Sequence, residues 1–460
     1  MQATVTLRGN DIFATDEQGG ETRIPVTGET GDALDRIRQA YAESVRKNLP
    51  ERIEPLGREL FGLLDGDGWA TAWAEGIGER ALEIADKSLF DLPWEILATD
   101  AGFLSADTTR LFLVTRRLGG HGEPWQPRHR DFLGMVMAAA PENVAPILDY
   151  EAEEAAILTA CRNNQEDVQI AVEESGCVDF LKTRLAEETG IEALHLSCHG
   201  GRAEDDTPFL ALEDPRGDLD KVDAGRLVQV WGEDRPPLVF LSACHTAENA
   251  IGAAPLAAEL VKAGVPNVLG WDGSVRDTDA ADFARHLYQE LANHRRVPYA
   301  AANARRTLLA EFQSGSGRGA HWHLGRLYAG PAGGGALCAA GLERRRLTRE
   351  AGHREFLDAK RNAVPVASAR AFVGRRRRAQ AVIGHLRDKR PVLIHGMGRQ
   401  GKSSLAARVA NRLSHVQPVV VYGRYDALAI FDALCEALPV ETRRTVKDGW
   451  SEAVKADPGE

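Results

Sequence analysis

Cysteine is scarce: the 460 residues hold six, at 161, 177, 198, 244, 338 and 435, with no C-x-x-C pair among them. That spacing excludes a disulfide-framework scaffold and leaves each cysteine as a free thiol. No stretch reaches the ~18 uninterrupted apolar residues of a spanning helix, and Met1 to Arg8 lacks the basic start and apolar core of a secretory signal. These absences exclude a membrane bundle, and a cytoplasmic protein is expected. No G-x-S-x-G pentapeptide occurs, so the nucleophile elbow of esterases is excluded although His199-Gly200-Gly201 resembles their oxyanion strand. No internal repeat of 20–50 residues is present, which excludes a solenoid.

What is present is ordinary globular material, 43% hydrophobic and 27% charged, with length for two or three domains. The formal net charge of −11 opposes non-specific attraction to nucleic acid or anionic lipid. Its distribution is uneven. Gly341 to Lys402 holds 17 Lys and Arg against five Asp and Glu, so an acidic body meets a basic segment near 341.

Period-two and period-3.6 patterns organise the body. Val5, Leu7 and Ile12, Ala14 around Gly9-Asn10 predict a hairpin; Asp32 to Asn48 and Gly57 to Trp73 predict helices. Ala81 to Ile84 predicts a strand leading to a proline-started helical turn at Leu92 to Leu97. From 131 the pattern becomes βαβ: strands at 132–140 and 168–172, helices at 149–161 and 177–188. Two apolar strands then end in polar chemistry, Ile191 to Gly200 and Pro237 to Thr246. A helix at 255–264, a strand at 267–271, a helix at 279–293 and a last strand at 321–329 follow. Near-continuous apolar strands alternating with helices predict an α/β fold with a mostly parallel sheet covered on both faces.

The carboxyl ends of parallel strands line one edge, where ligands bind. His199 ends one strand and Cys244 another. A thiol of pKa about 8.5 attacks only as thiolate, which a nearby imidazole supplies. Gly200 and the Cys244 amide offer two N–H donors for an oxyanion. Position alone leaves two readings open, a nucleophile or a small buried core residue. Zinc at His195, Cys198, His199, Cys244 and His245 is disfavoured, because period two sends Cys198 and His199, or Cys244 and His245, to opposite faces. His321 and His323 form a weak metal pair whose plainer reading is a half-buried strand. Asp205, Asp206, Asp214, Asp272 and Asp277 lie where they could line a cleft, though most read as solvated loop charges.

The segments His195-Leu-Ser-Cys-His-Gly200 and Leu241-Ser-Ala-Cys-His-Thr-Ala247 resemble the two active-site motifs of the CHAT family, in the caspase, separase and clostripain clan. Asp91 to Leu97, Phe209 to Leu212 and Val268 to Trp271 resemble its flanking segments, so the resemblance covers roughly 80–332. It implies a caspase-like cysteine endopeptidase with Cys244 as nucleophile, His199 as base and acid, and Gly200 and Cys244 amides as oxyanion donors. It implies no metal, no third catalytic carboxylate and no cofactor for peptidase chemistry.

Gly396-Met-Gly398-Arg-Gln-Gly401-Lys402-Ser403 fits G-x-x-x-x-G-K-[ST], followed by Ser404. A strand at 391–395 before it and a helix at 404–413 after it are the context in which backbone amides cradle phosphates, Lys402 reaches the β and γ groups and Ser403 holds Mg²⁺. Ala371 to Arg375 resembles the entry motif of STAND NTPases. A strand at 419–422 follows, but no apolar strand ending in an acidic Walker B residue. The expected organisation is 1–130 and 131–342 as the two parts of the caspase-like region, 343–370 as a basic linker containing a charged helix or linker at 343–360 broken at Val364-Pro365, and 371–460 as a truncated NTPase start with its first βα units. The resembling bacterial fusions imply a signalling or antiviral defence device with ATP and Mg²⁺ at the P-loop of the full-length protein. They also imply a C-terminal sensor beyond this chain and a dedicated protein substrate such as a gasdermin-like pore-former. The alternative is a nucleotide-dependent switch or scaffold whose peptidase-like module only binds.

Overall fold

A computed structural model describes residues 2–8, 11–65, 68–141, 144, 150–162, 168–188, 190–233, 235–245, 254–345, 353–355, 364–368, 371–413, 416–421, 423 and 426–456. The chain divides into two compact units, Met1–Asp214 with Leu219–Arg346, and Pro215–Asp218 with Leu347–Glu460.

The first unit begins with β1 (Gln2–Arg8), β2 (Asp11–Asp16), β3 (Glu21–Pro25), α1 (Gly28–Arg46), α2 (Ile53–Leu64), α3 (Trp69–Glu75), β4 (Arg80–Ile84), β5 (Ala98–Thr99), β6 (Gly102–Phe103) and β7 (Phe112–Arg117). It continues with β8 (Phe132–Ala138), α4 (Tyr150–Arg162), β9 (Val168–Glu173), α5 (Val178–Glu187), β10 (Ala193–Arg202), β11 (Pro208–Glu213), β12 (Leu219–Val222) and α6 (Ala224–Trp231). Last come β13 (Leu238–His245), α7 (Ala254–Lys262), β14 (Asn267–Trp271), α8 (Asp277–Ala292), α9 (Val297–Gln313) and β15 (Gly325–Ala329).

Thirteen of these strands form one sheet, ordered β12-β11-β10-β13-β14-β15-β7-β4-β1-β2-β3, with β8 beside β10 and β9 beside β8. Pairs β8–β9, β8–β10, β10–β13 and β13–β14 are parallel, as their continuous apolar character predicts. Alternation then splits each strand between two cores. Leu194, Leu196 and Leu241 pack with Leu181 of α5, Leu227 of α6 and Leu260 of α7. Ala193 and Phe240 pack with Ile157 of α4 and with Phe283 and Tyr288 of α8. Helices therefore cover both faces, and the mostly parallel α/β class expected from the sequence is the one observed.

The Pro93-Trp94-Glu95 segment has a structural reason. Glu95 is fully buried and takes a two-pronged contact from Arg116, at 2.5 and 3.0 Å. Arg116 also donates to the carbonyls of Phe90 and Leu92, and Arg326 donates to that of Phe90. Trp94 donates to Leu89. These bonds fix the loop between β4 and β7 beneath the sheet. The 3-10 turn Trp94–Ile96 also meets α2, where a Cβ on Gly57 would lie 1.9 Å from the Ile96 carbonyl oxygen.

Several expected elements differ. The helix expected over 57–73 is two, α2 and α3: α2 ends at Leu64, and α3 starts after Gly68, whose amide donates to the Asp65 carbonyl at 3.2 Å and whose φ of 75° suits glycine. The last strand is shorter than 321–329: His321 to His323 form a turn and pairing starts at Gly325.

The second unit contains a hairpin of β16 (His353–Glu355) and β17 (Val364–Val366), then α10 (Arg376–Arg387), α11 (Lys402–Arg412), α12 (Ala427–Ala437) and α13 (Val440–Ala456). Phe372, Ala379, Ile383, Leu405 and Val409 form its small core. The charged helix or linker read over 343–360 gives way to β16 at 353–355; residues 346–352 and 356–360 lie outside the described residues. Val364-Pro365, expected as a break, belongs to β17. The expected P-loop strand at 391–395 and its companion at 419–421 are not strands, and Tyr422 lies outside the described residues. A strand exists only through a neighbour's ladder, and Leu393 is 83% exposed with no strand beside it among the described residues. The expected βα units are thus present as helix without sheet.

Candidate active site

The pairing of β10 with β13 runs from Ala193 opposite Leu238 to Gly200 opposite His245, and within it His199 lies directly opposite Cys244. Adjacent strands are about 4.8 Å apart, so the two Cα atoms are first neighbours across the ladder. Sequence proximity plays no part. The pairing register brings together the two residues that the motifs single out, near the carboxyl end of the β10–β13 ladder; β10 does not stop at Gly200 as expected but runs on to Arg202, because β11 continues to pair with it.

Period two fixes the faces. His195, Ser197 and His199 share one face of β10, and Ser242 and Cys244 share the same face of β13. His199 is 3% exposed. The backbone of Cys244 is part of β13, while its side chain, with those of Ala243 and His245, lies outside the described residues; Thr246 to Ala253 lie outside altogether. Gly200 pairs with Leu210 on one side and His245 on the other, at the last pair of the β10–β13 ladder.

One repeat below His199 and Cys244 sits a buried carboxylate that the sequence reading missed. Glu153 of α4, 6% exposed, accepts from Ser197 Oγ at 2.6 Å, Ser242 Oγ at 2.6 Å and His195 Nε2 at 3.1 Å. Trp271 Nε1 of β14 reaches Ser242 Oγ at 3.3 Å. A carboxylate only accepts, so the His195 nitrogen facing it carries the hydrogen. Burial alone would push the Glu153 pKa up; His195 and the two hydroxyls outweigh it and hold the pKa below the usual carboxylate value. The missed signal was positional. Glu153, Ile157 and Cys161 recur at i, i+4 and i+8, and all three are buried, so a charged residue sits on the helix's core stripe.

His195 is otherwise a core ring, edge-on to Phe240 at 4.6 Å, and Cys198 is fully buried on the opposite face. His321 and His323 are not brought together as a pair. His321 Nδ1 faces Asp279 at 2.7 Å, while His323 Nδ1 meets Tyr41 Oη at 2.8 Å and burial drives its pKa down to about 3. Of the cleft acids, Asp206 pairs with Arg202, and Asp272 follows β14 paired with Arg326. Burial raises the Asp272 pKa against the pull of Arg326.

In the second unit Gly396, Arg399 and Gly401 have φ of 146°, 60° and 75°, which curls the 396–401 segment back on itself. Lys402 Nζ donates to the carbonyls of Gly396 at 3.0 Å and Met397 at 2.8 Å. α11 starts at Lys402, so the amides of Ser403 and Ser404 lie in its first turn, and Ser404 Oγ accepts from the Ala367 amide at 2.9 Å. Gly398 has open space around it.

No curated protein matches this chain. Among solved structures, the Saccharomyces cerevisiae separase–securin complex matches at 15% identity with a TM-score of 0.29, covering 54% of this chain and spanning 15% of the length of that one. The CHAT domain family model matches residues 54–326, a span that holds the upstream Glu95 segment and both strands that carry His199 and Cys244. That family lies in the caspase-like clan of cysteine peptidases, and with more than half of its length matched the chain belongs to the CHAT family.

Proposed function

We propose that the protein is a Cys–His endopeptidase in which Cys244 is the nucleophile and His199 the base. The observation that carries this reading is the register of β10 against β13, with His199 opposite Cys244. His199 takes the thiol proton, the thiolate sulfur bonds to the scissile carbonyl carbon, and the tetrahedral oxyanion is met by the amides of Gly200 and Cys244. His199 then returns the proton to the leaving amine, and water, deprotonated by the same imidazole, releases the acyl group. The substrate is a dedicated protein, with a gasdermin-like pore-former as one class, within a cytoplasmic bacterial signalling or antiviral defence system. The test is cleavage of a co-encoded partner protein by wild type, Cys244→Ala and His199→Ala. Each variant should lose at least a thousandfold in rate while remaining folded, and the double variant should lose little more, because the two groups act as one unit. Cleavage retained in either folded single variant would sink the Cys–His mechanism, and a folded wild type that binds the partner without cutting it would favour a binding scaffold.

The glycine-rich 396–401 segment favours a second role, nucleotide binding with Mg²⁺ in the full-length protein. Curled loop amides, the start of α11 and the Lys402 ammonium are the groups a phosphate chain needs. In this chain Lys402→Ala should leave the peptidase rate unchanged with or without ATP and Mg²⁺. A strong nucleotide dependence lost in that variant would mean that the second unit already works as a switch.

A further inference from the structure

Away from β10 and β13, a cavity of about 740 Å³ is lined by α2, α3, the β5–β6 hairpin, the start of β4 and the loop that leads into β7. Its volume falls in the range of about 300–1,000 Å³ usual for small-molecule sites. We propose that it binds a small organic monocarboxylate, whose charged head meets Arg80 and Arg110 and whose apolar body lies against Phe61, Phe103 and Leu104.

The charge at Arg80 carries the proposal. Arg80 lines the cavity, its side chain is 4% exposed, and a guanidinium has five N–H groups to place and accepts no hydrogen bond. Among the described residues it donates once, from Nη2 to Asp107 Oδ2 at 2.8 Å, and its buried Nε meets no acceptor. Arg110 Nε donates to the same oxygen at 3.1 Å and Nη1 donates to the carbonyls of Ala74 and Gly76 at 3.2 Å, which leaves Nη2 without a bond. The other oxygen of Asp107 accepts from the Thr109 amide and hydroxyl and from the Arg110 amide. Against burial, the Thr109 and Arg110 bonds and the Arg80 charge hold the Asp107 pKa far below the usual carboxylate range, so it stays an anion. Two guanidiniums thus share one fully engaged carboxylate, and one positive charge is left over. Burial, and then Arg110, lower the proton affinity of Arg80 by more than Asp107 restores. A second carboxylate beside Arg80 would supply the missing counter-charge and match the planar fork of donors.

The rest of the lining sets the class of ligand. Asp65 is bound through both oxygens to Thr71, and Arg58 holds Glu54. Glu75 and Asp100 are exposed on the rim and, among the described residues, pair with nothing. Beside these two acids a phosphate, with a charge of about −1.5 to −2 at neutral pH, is repelled more strongly than a monoanion. Phe61, Phe103 and Leu104 are buried and offer apolar surface to the remainder of the molecule.

The probes are benzoate, phenyl phosphate and the neutral benzamide, each titrated into the full chain by calorimetry and followed by thermal melting. So small a molecule is expected to bind with a Kd of about 1 mM, and titration runs to about 20 mM. Benzoate should bind wild type and raise its melting temperature, phenyl phosphate should bind several-fold more weakly, and benzamide should not bind. Arg110→Gln, at a half-buried position, should weaken benzoate at least about tenfold. The rim double variant Glu75→Gln with Asp100→Asn should tighten phenyl phosphate more than benzoate. The proposal is overturned by a folded wild type that takes up no benzoate, by equal benzoate binding in Arg110→Gln, or by a preference for phenyl phosphate or benzamide. Should Arg110→Gln fail to fold, the rim variant decides: a gain for phenyl phosphate over benzoate supports the site, and an unchanged ratio overturns it.

Discussion

Glu95→Gln offers a direct reading of how much the buried ion pair contributes. The carboxylate and the Arg116 guanidinium are both 0% exposed, and Arg305 and Arg326 lie within electrostatic reach. Burial pushes the Glu95 pKa up, but Arg116, by charge and hydrogen bonds, and then Arg305 and Arg326 bring it from 4.5 down to about 2. That fall corresponds to about 3 kcal/mol of stability at neutral pH. Mutational experience with buried pairs broken on one side gives about 3–5 kcal/mol, a large part of a typical 5–15 kcal/mol. The sign follows from the direction. A carboxyl that binds its proton more weakly when folded stabilises above its unfolded pKa of 4.5, and the contribution is lost as pH falls toward 2. The assay is urea unfolding followed by tryptophan fluorescence, which reports the first unit because seven of the eight tryptophans lie in it. Wild type should exceed the variant by about 3–5 kcal/mol at pH 7. The gap should narrow by about 1.4 kcal/mol at pH 3.5, where other carboxylates cancel in the difference. A gap under about 1 kcal/mol at pH 7, or one of equal size at both pH values, would refute the argument.

Two glycines of α2 make a matched pair. Gly57→Ala, whose Cβ would meet the Ile96 carbonyl at 1.9 Å, should destabilise by about 1–3 kcal/mol, whereas Gly62→Ala, with open space around it, should stabilise by up to about 1 kcal/mol; thermal melts that rank them the other way would contradict the packing. Under iodoacetamide at neutral pH, Cys244 should be alkylated before Cys161, whose thiol burial pushes up to about 12, and before fully buried Cys338. Equal labelling of the three would remove the case for an activated thiol.

Much of this site was readable because strand chemistry is written locally. Apolar runs ending in Cys198-His199-Gly200 and Ala243-Cys244-His245 declare parallel strands and the edge where a site is expected, and the structure supplies the register that joins them. Glu153 was not readable in the same way: its partners Ser197 and Ser242 are 44 and 89 residues away, and a glutamate on a helix reads as solvated until its face is known. Arg116 and Arg305 were invisible for the same reason, since their ladder and helix positions look amphipathic until both faces are covered. β7 and α9 were not foreseen, β7 because its Thr115-Arg116-Arg117 end breaks the apolar pattern although every residue of it is buried. In the second unit local signals predicted strands at 391–395 and 419–422. Local signals say nothing about whether a neighbouring strand exists to receive the ladder.

The place of β15 has a consequence for how the molecule comes into being. The last strand of the sheet in sequence is a middle strand in space, antiparallel to β14 and parallel to β7, with Tyr328 beside Arg116. Strands β1 to β4 with β7, and strands β8 to β14, can therefore each assemble as a half-sheet while the chain is still being made. Neither half joins the other until Gly325–Ala329 has left the ribosome and closed a loop of more than 200 residues, a slow and non-local step. A nascent chain is thus held as two open-edged halves until its peptidase region is completely synthesised. The edge that carries His199 and Cys244 gains its full backing only at the last stage of translation of that unit.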